Sequence, residues 1–164
     1  MIQEFCSWLA KTPISVTFQS VPWIVPAVQT VHILCIAIVV TYNGMLDLRL
    51  MGVAGKSRTI FHMVDEFMPW IWGALAILAV TGVMMIIAEP ARELTNPAFW
   101  AKMSMLIVVI GLTFLVQRPV RRNRHYWDGS DSMRLRAKVI ATVSLLLWIS
   151  ILSAGRWIAY VQHD

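Results

Sequence analysis

A histidine at position 32 is flanked by valine and isoleucine in the stretch VQTVHILCIA (residues 28–37), and an amide, Gln29, stands three positions before it. An imidazole in such surroundings can move a proton, bridge to a neighbouring helix, or give a nitrogen lone pair to a metal. The company it keeps narrows the choice. On a helix advancing about 100° per residue, Asn43 falls about 20° from His32, and Gln29 and Asp47 about 60°. These four therefore share one polar stripe, with Ile36 and Val39 filling its middle. Lys102, Thr113 and Gln117 fall within about 60° on a helix of their own, and Arg156 stands with Ser153 and Tyr160 near the end of the chain.

These residues lie in or beside long apolar runs. The chain of 164 residues is 58% hydrophobic and 14% charged, with a mean hydropathy of +0.66. A soluble domain carries about 25% charged residues. Four apolar stretches, at about 21–46, 67–88, 98–116 and 139–160, are each near the roughly 20 residues that cross a bilayer as a helix. The fold expected is all-α, an antiparallel four-helix transmembrane bundle forming one membrane domain over residues 1–164. The alternating ten-residue segments of a membrane β-barrel are absent. Ahead of the first span, Ile2, Phe5, Trp8 and Leu9 recur at helical spacing, which predicts a short amphipathic helix lying in the interface. No basic start, apolar core and small-residue cleavage site marks a signal peptide there. Cys6 precedes the first span and Cys35 lies within it, so a bridge between them is not expected.

Charge orients the frame. Ten basic residues fall in the segments after spans 1 and 3: Arg49, Lys56, Arg58, Arg118, Arg121, Arg122, Arg124, Arg134, Arg136 and Lys138. Lys11, Arg92, Lys102 and Arg156 fall on the other side. Basic loops stay in the cytoplasm, so the expected setting is a bacterial inner membrane with both termini outside. This asymmetry accounts for the net charge of +5 and for contact with anionic lipid, and nothing points to nucleic acid. Trp23, Trp100 and Trp157 are expected at the outer boundary, and Trp70 and Trp72 at the inner one.

In this frame His32 sits near the midplane, roughly 15 Å below the outer surface, with Lys102 and Arg156 above it. Singly, each residue has a plain reading: a helix–helix hydrogen bond for His32, and snorkelling to head groups for the two cations. Together they match the needs of a b-type haem, an axial imidazole beneath cations that take the propionates. The expected metal ligand is His32, and the cofactor-binding set is His32, Gln29, Asn43, Lys102 and Arg156, with Asn43, Gln29 or a backbone carbonyl orienting the second ring nitrogen. The sixth ligand stays open between Met84, Met85, Met103, Met105, Lys102 and none. His62 precedes Asp65 and Glu66, at the cytoplasmic end, and could serve only a second cofactor. No C-x-x-C-H is present for a covalently attached haem, and no hydrolase signature occurs.

The run QTVHILCIAIVVTYNGMLDLRLMG (29–52), followed by MPWIWGALAILAVTG (68–82), NPAFWAKMSMLIV (96–108) and SLLLWISILSAGRWIAYV (144–161), resembles a family of small four-helix bacterial inner-membrane proteins of unassigned function. The resemblance covers nearly the whole chain. A carboxylate of that family's pattern is replaced here by Gln29. His32, Arg49-Leu50 and Trp100 with Lys102 also show a distant similarity to haem-associated four-helix membrane oxidases, which implies a haem site rather than a reaction.

The expected function is haem b binding with electron transfer between the quinone pool and an outer-side acceptor, in a homo-oligomer or larger membrane complex. A membrane oxidoreductase acting on a quinone or porphyrin is a related reading. The alternative is a non-redox membrane subunit, or a small solute or proton conduit along the Gln29–His32–Asn43–Asp47 stripe.

Overall fold

The computed structural model describes residues 2–55, 57–124, 126–128 and 130–158, apart from the side chains of Asp128, Arg156, Trp157 and Ile158. Among them the regular structure is entirely helical. Short helices α1 (Ile2–Ala10) and α2 (Pro13–Ser20) precede the long α3 (Ile24–Leu50) and α4 (Ile60–Ala88). The short α5 (Pro90–Leu94) leads into α6 (Pro97–Arg122), and a 3₁₀ turn (Tyr126–Asp128) into α7 (Asp131–Ile158). The long helices α3, α4, α6 and α7 are long and apolar enough to cross a membrane. Helix α3 packs chiefly on α4 and α7, and α6 chiefly on α7.

Each long helix overruns the apolar stretch read from the sequence at the end rich in Arg and Lys. Helix α4 begins at Ile60 rather than near residue 67, because Ile60, Met63 and Val64 are buried while His62, Asp65 and Glu66 face outward. That 3.6-residue alternation continues the helix beyond the apolar segment. Thr59 caps it, its hydroxyl accepting from the His62 amide at 3.3 Å. Helix α3 ends within DLRLMG. Gly52 has φ +76°, and the amides of Gly52 and Val53 return to the carbonyls of Arg49 and Leu48, both at 3.0 Å. This is a Schellman closure, whose left-handed residue favours glycine.

Packing is densest toward that basic end. Leu46, Leu50, Met63, Phe67, Met68, Ile71, Val116 and Val120 form one core cluster, completed by Trp127 of the 3₁₀ turn. The Trp127 indole donates to the Val116 carbonyl at 3.3 Å. A second cluster, Cys35, Val39, Ala74, Val109, Trp148 and Ile151, fills the middle of the bundle. Beyond it, no α3 residue from 24 to 34 is fully buried.

The single interfacial helix expected at the N-terminus is two helices, and they are docked. Ile2, Phe5 and Trp8 stay exposed, as an interfacial face requires. The opposite side reaches the far end of α4. The Ser15 hydroxyl donates to the Ile87 carbonyl at 2.7 Å, and the Gln19 amide to the Ala88 carbonyl at 3.0 Å. The Cys6 thiol donates to the Pro90 carbonyl at 3.6 Å. The last carbonyls of a helix have no partner within it, and Pro90 cannot extend α4 with an N–H of its own. Helix α2 supplies the missing donors.

Candidate functional site

His32 projects from α3 onto α4, where its Nδ1 lies 2.7 Å from the Thr81 hydroxyl oxygen. That hydroxyl has one proton, with the carbonyls of Ile77 at 2.8 Å and Leu78 at 3.2 Å both in its reach. Given to either carbonyl, the proton leaves the oxygen to accept from Nδ1–H, with Nε2 carrying the ring's lone pair. Gly82 lies beside the ring, where a Cβ would make ordinary contact with the imidazole Cε1 at 3.7 Å. The side-chain partner of the ring is Thr81, where the sequence offered Asn43, Gln29 or a backbone carbonyl. Its only signal in the sequence is a Thr-Gly pair inside an otherwise apolar run.

Gln29 is half-buried one turn along α3 and makes no hydrogen bond among the described residues. Lys102 is half-buried near the start of α6, close enough to interact electrostatically with both His32 and Glu93. Glu93 lies on α5, outside the long helices. Burial raises its carboxyl above the ordinary range, opposed by the nearby Lys102 and Arg92 cations. Arg156 lies on the last turn of α7, at the same end of the bundle, with its side chain outside the described residues. Of the sulfur candidates, Met84 and Met85 line a small apolar crevice with Val25, Val28 and Phe18. Met105 packs against the middle cluster. His62 is exposed at the opposite end of α4, 3.8 Å from Glu66, which also binds Arg58 at 2.9 Å.

Asn43 and Asp47 leave the His32 region altogether. Asn43 lies 11 residues further along α3, roughly 16 Å at 1.5 Å per residue. Its amide nitrogen donates to the Val39 carbonyl at 3.0 Å, and its oxygen faces the Thr113 hydroxyl of α6 at 3.3 Å. Asp47 is 4% exposed and lies beside the Ser144 hydroxyl of α7. The pairing of Asp47 with Arg49 suggested by their proximity in sequence does not form; Arg49 instead donates to the Arg58 carbonyl at 2.8 Å. Between His32 and this second group lies the layer of Val39, Val109 and Trp148, with both valines fully enclosed. The Trp148 indole N–H has no partner among the described residues. Trp72, expected in an aromatic belt, instead donates to the Gln117 side-chain oxygen of α6 at 3.2 Å. Trp23, Trp70 and Trp100 are exposed, as belt residues are.

Residues 10–161 match the family described as Family of unknown function (DUF6644). The chain belongs to that family. No curated protein and no solved structure matches it, and nothing in these comparisons supports the expected similarity to haem-associated oxidases. Among the described residues, no cluster of three His, Cys, Asp or Glu side chains could by itself hold a metal ion. A metal at His32 would therefore bring other ligands with it, as a porphyrin does.

Proposed function

We propose that the protein is a membrane b-type haem protein in which His32 Nε2 is an axial ligand. The observation that carries this reading is the His32–Thr81 contact at 2.7 Å. A ligating histidine donates its other ring N–H to a fixed acceptor, which sets the tautomer and the ring plane. Thr81 stands in position to do this from a neighbouring helix. Lys102 and Arg156 would hold the propionates. Bound haem would supply one-electron chemistry for transfer between the quinone pool and an outer acceptor, within a homo-oligomer or a larger complex.

The membrane is a bacterial inner membrane in this reading, with the basic end cytoplasmic and both termini outside. The clustering of exposed Arg118, Arg121, Arg122, Arg134, Arg136 and Lys138 at one end supports that orientation. A conduit along the α3 stripe is less well supported, because Val39 and Val109 leave no polar path between His32 and Asn43.

An optical spectrum tests the proposal. The full chain, expressed with ample haem and purified in detergent, should show a Soret band and sharpened α and β bands on reduction with dithionite. His32→Ala should lose that spectrum while still inserting, because the four apolar helices remain. His62→Ala should retain it. A colourless wild type, or His32→Ala with an unchanged spectrum, would overturn the reading and leave His32 as a bridge between helices.

A further inference from the structure

The cluster at Asn43 and Asp47 serves no purpose in the haem reading, yet it is the most polar part of the bundle interior. Asp47, Asn43, Thr113 and Ser144 come from α3, α6 and α7 and are each at least 94% buried. They line a small crevice of about 10 Å³ together with Leu46, Leu112, Val116 and Ile140. The Asp47 Oδ2 is buried without a hydrogen-bond partner among the described residues. A buried carboxylate with an orphaned oxygen is costly unless something neutralises it, and among the described residues no basic side chain pairs with it. Arg49 is turned to the Arg58 carbonyl, and the nearest cations along α6 and α7, Arg118 and Lys138, are exposed.

The neighbours present oxygen to the crevice. The Asn43 amide nitrogen is committed to the Val39 carbonyl at 3.0 Å, which leaves its oxygen toward Thr113. The Thr113 hydroxyl has its shorter contact with the Val109 carbonyl, at 2.9 Å, so its lone pairs stay free. A proton on Oδ2 would remove the charge but would leave unused the oxygens that Asn43 and Thr113 bring to the same place. The crevice needs an occupant that accepts electron pairs from several oxygens at once. We propose that Asp47, Asn43, Thr113 and Ser144 form a binding site for a single sodium ion. One carboxylate balances one monovalent charge, and hard cations take carboxylate, amide and hydroxyl oxygens. Magnesium sheds its water reluctantly and calcium takes six to eight oxygens, which one carboxylate and so small a crevice do not provide. The volume is near the least that admits a water molecule, so a dehydrated sodium ion fits more easily than the larger potassium.

Thermal unfolding of the full chain in detergent tests the site without any need for haem. At fixed pH and ionic strength, replacing potassium or choline chloride by sodium chloride should raise the melting temperature until the site saturates, as for any ligand bound only by the folded state. Asp47→Asn should abolish the difference between sodium and potassium. Ser144→Ala should keep it but move its midpoint to higher sodium, and this variant carries the test if Asp47→Asn does not fold. Equal melting of wild type in sodium and potassium would overturn the proposal. So would stabilisation by acid alone, which would mean a protonated carboxyl bridged by water, or an unshifted sodium midpoint in Ser144→Ala.

Discussion

A Thr81 hydroxyl that gives its one proton to the Ile77 or Leu78 carbonyl determines which nitrogen of His32 is left for other work. Thr81→Val should cost about 1 kcal/mol of stability through the lost hydrogen bond. It should also weaken haem retention 10- to 100-fold, the usual effect of removing the group that orients a ligating histidine. Thr81→Ser, which keeps the acceptor, should restore most of both, as read from the Soret absorbance per protein after dialysis against apomyoglobin. Glu93 allows a pH test. Burial raises its carboxyl, so its protonated form is favoured in the folded state. That contribution is complete below the unfolded value and fades as pH rises through the folded one. Melting curves between pH 4 and 7 should show wild type losing stability relative to Glu93→Gln as the pH rises; parallel curves would mean the Glu93 carboxyl is not shifted. His32 was legible in the sequence, because a histidine in an apolar run stands out. Thr81 was not, since a threonine there reads as ordinary packing. Asn43 and Asp47 were assigned to His32 because an angle around one helix does not reveal which neighbour faces each turn. Here α4 meets His32 while α6 and α7 meet the lower turns.

Helix α2 is short, yet it closes the end of α4 through two side chains. Ser15→Ala would leave the Ile87 carbonyl without its donor and should destabilise by about 1–3 kcal/mol, the cost of an unsatisfied buried group. The buried position of Ser15 puts the loss toward the upper part of that range. Trypsin should then cut after Lys11 faster than in wild type, whereas unchanged cleavage would mean that the Ser15 contact does not hold α2. At the other end, Gly52→Ala should cost about 1–2 kcal/mol, because an L side chain disfavours the left-handed region that Gly52 occupies. The long helices were legible as elements but not in their limits. Hydropathy follows the apolar segment, whereas α4 and α7 continue as amphipathic helices once they leave it, as Ile60, Met63, Val64 and Ala137 show. The docking of α2 was illegible because Ser15 and Gln19 sit in an unremarkable sequence, and their acceptors are carbonyls that become orphans only once Pro90 ends α4.

Across the whole molecule the basic residues gather at one end, and the α1, α2 and α5 helices cover the other. With Cys6 and Cys35 replaced by alanine, a cysteine at the exposed Ser130 should resist a membrane-impermeant maleimide in intact cells, while one at the exposed Lys11 should react. The reverse pattern would invert the orientation. The α2 clamp also has a bearing on how the chain is made. The acceptor for Ser15 lies 72 residues downstream, at Ile87. At about 5–20 residues per second, the ribosome needs between about 4 and 14 seconds to add that stretch. Throughout that delay Ser15 and Gln19 have no α4 carbonyls to meet. The N-terminal segment must therefore wait at the membrane surface until the second span has been inserted, and its docking reports that the first helical hairpin is complete.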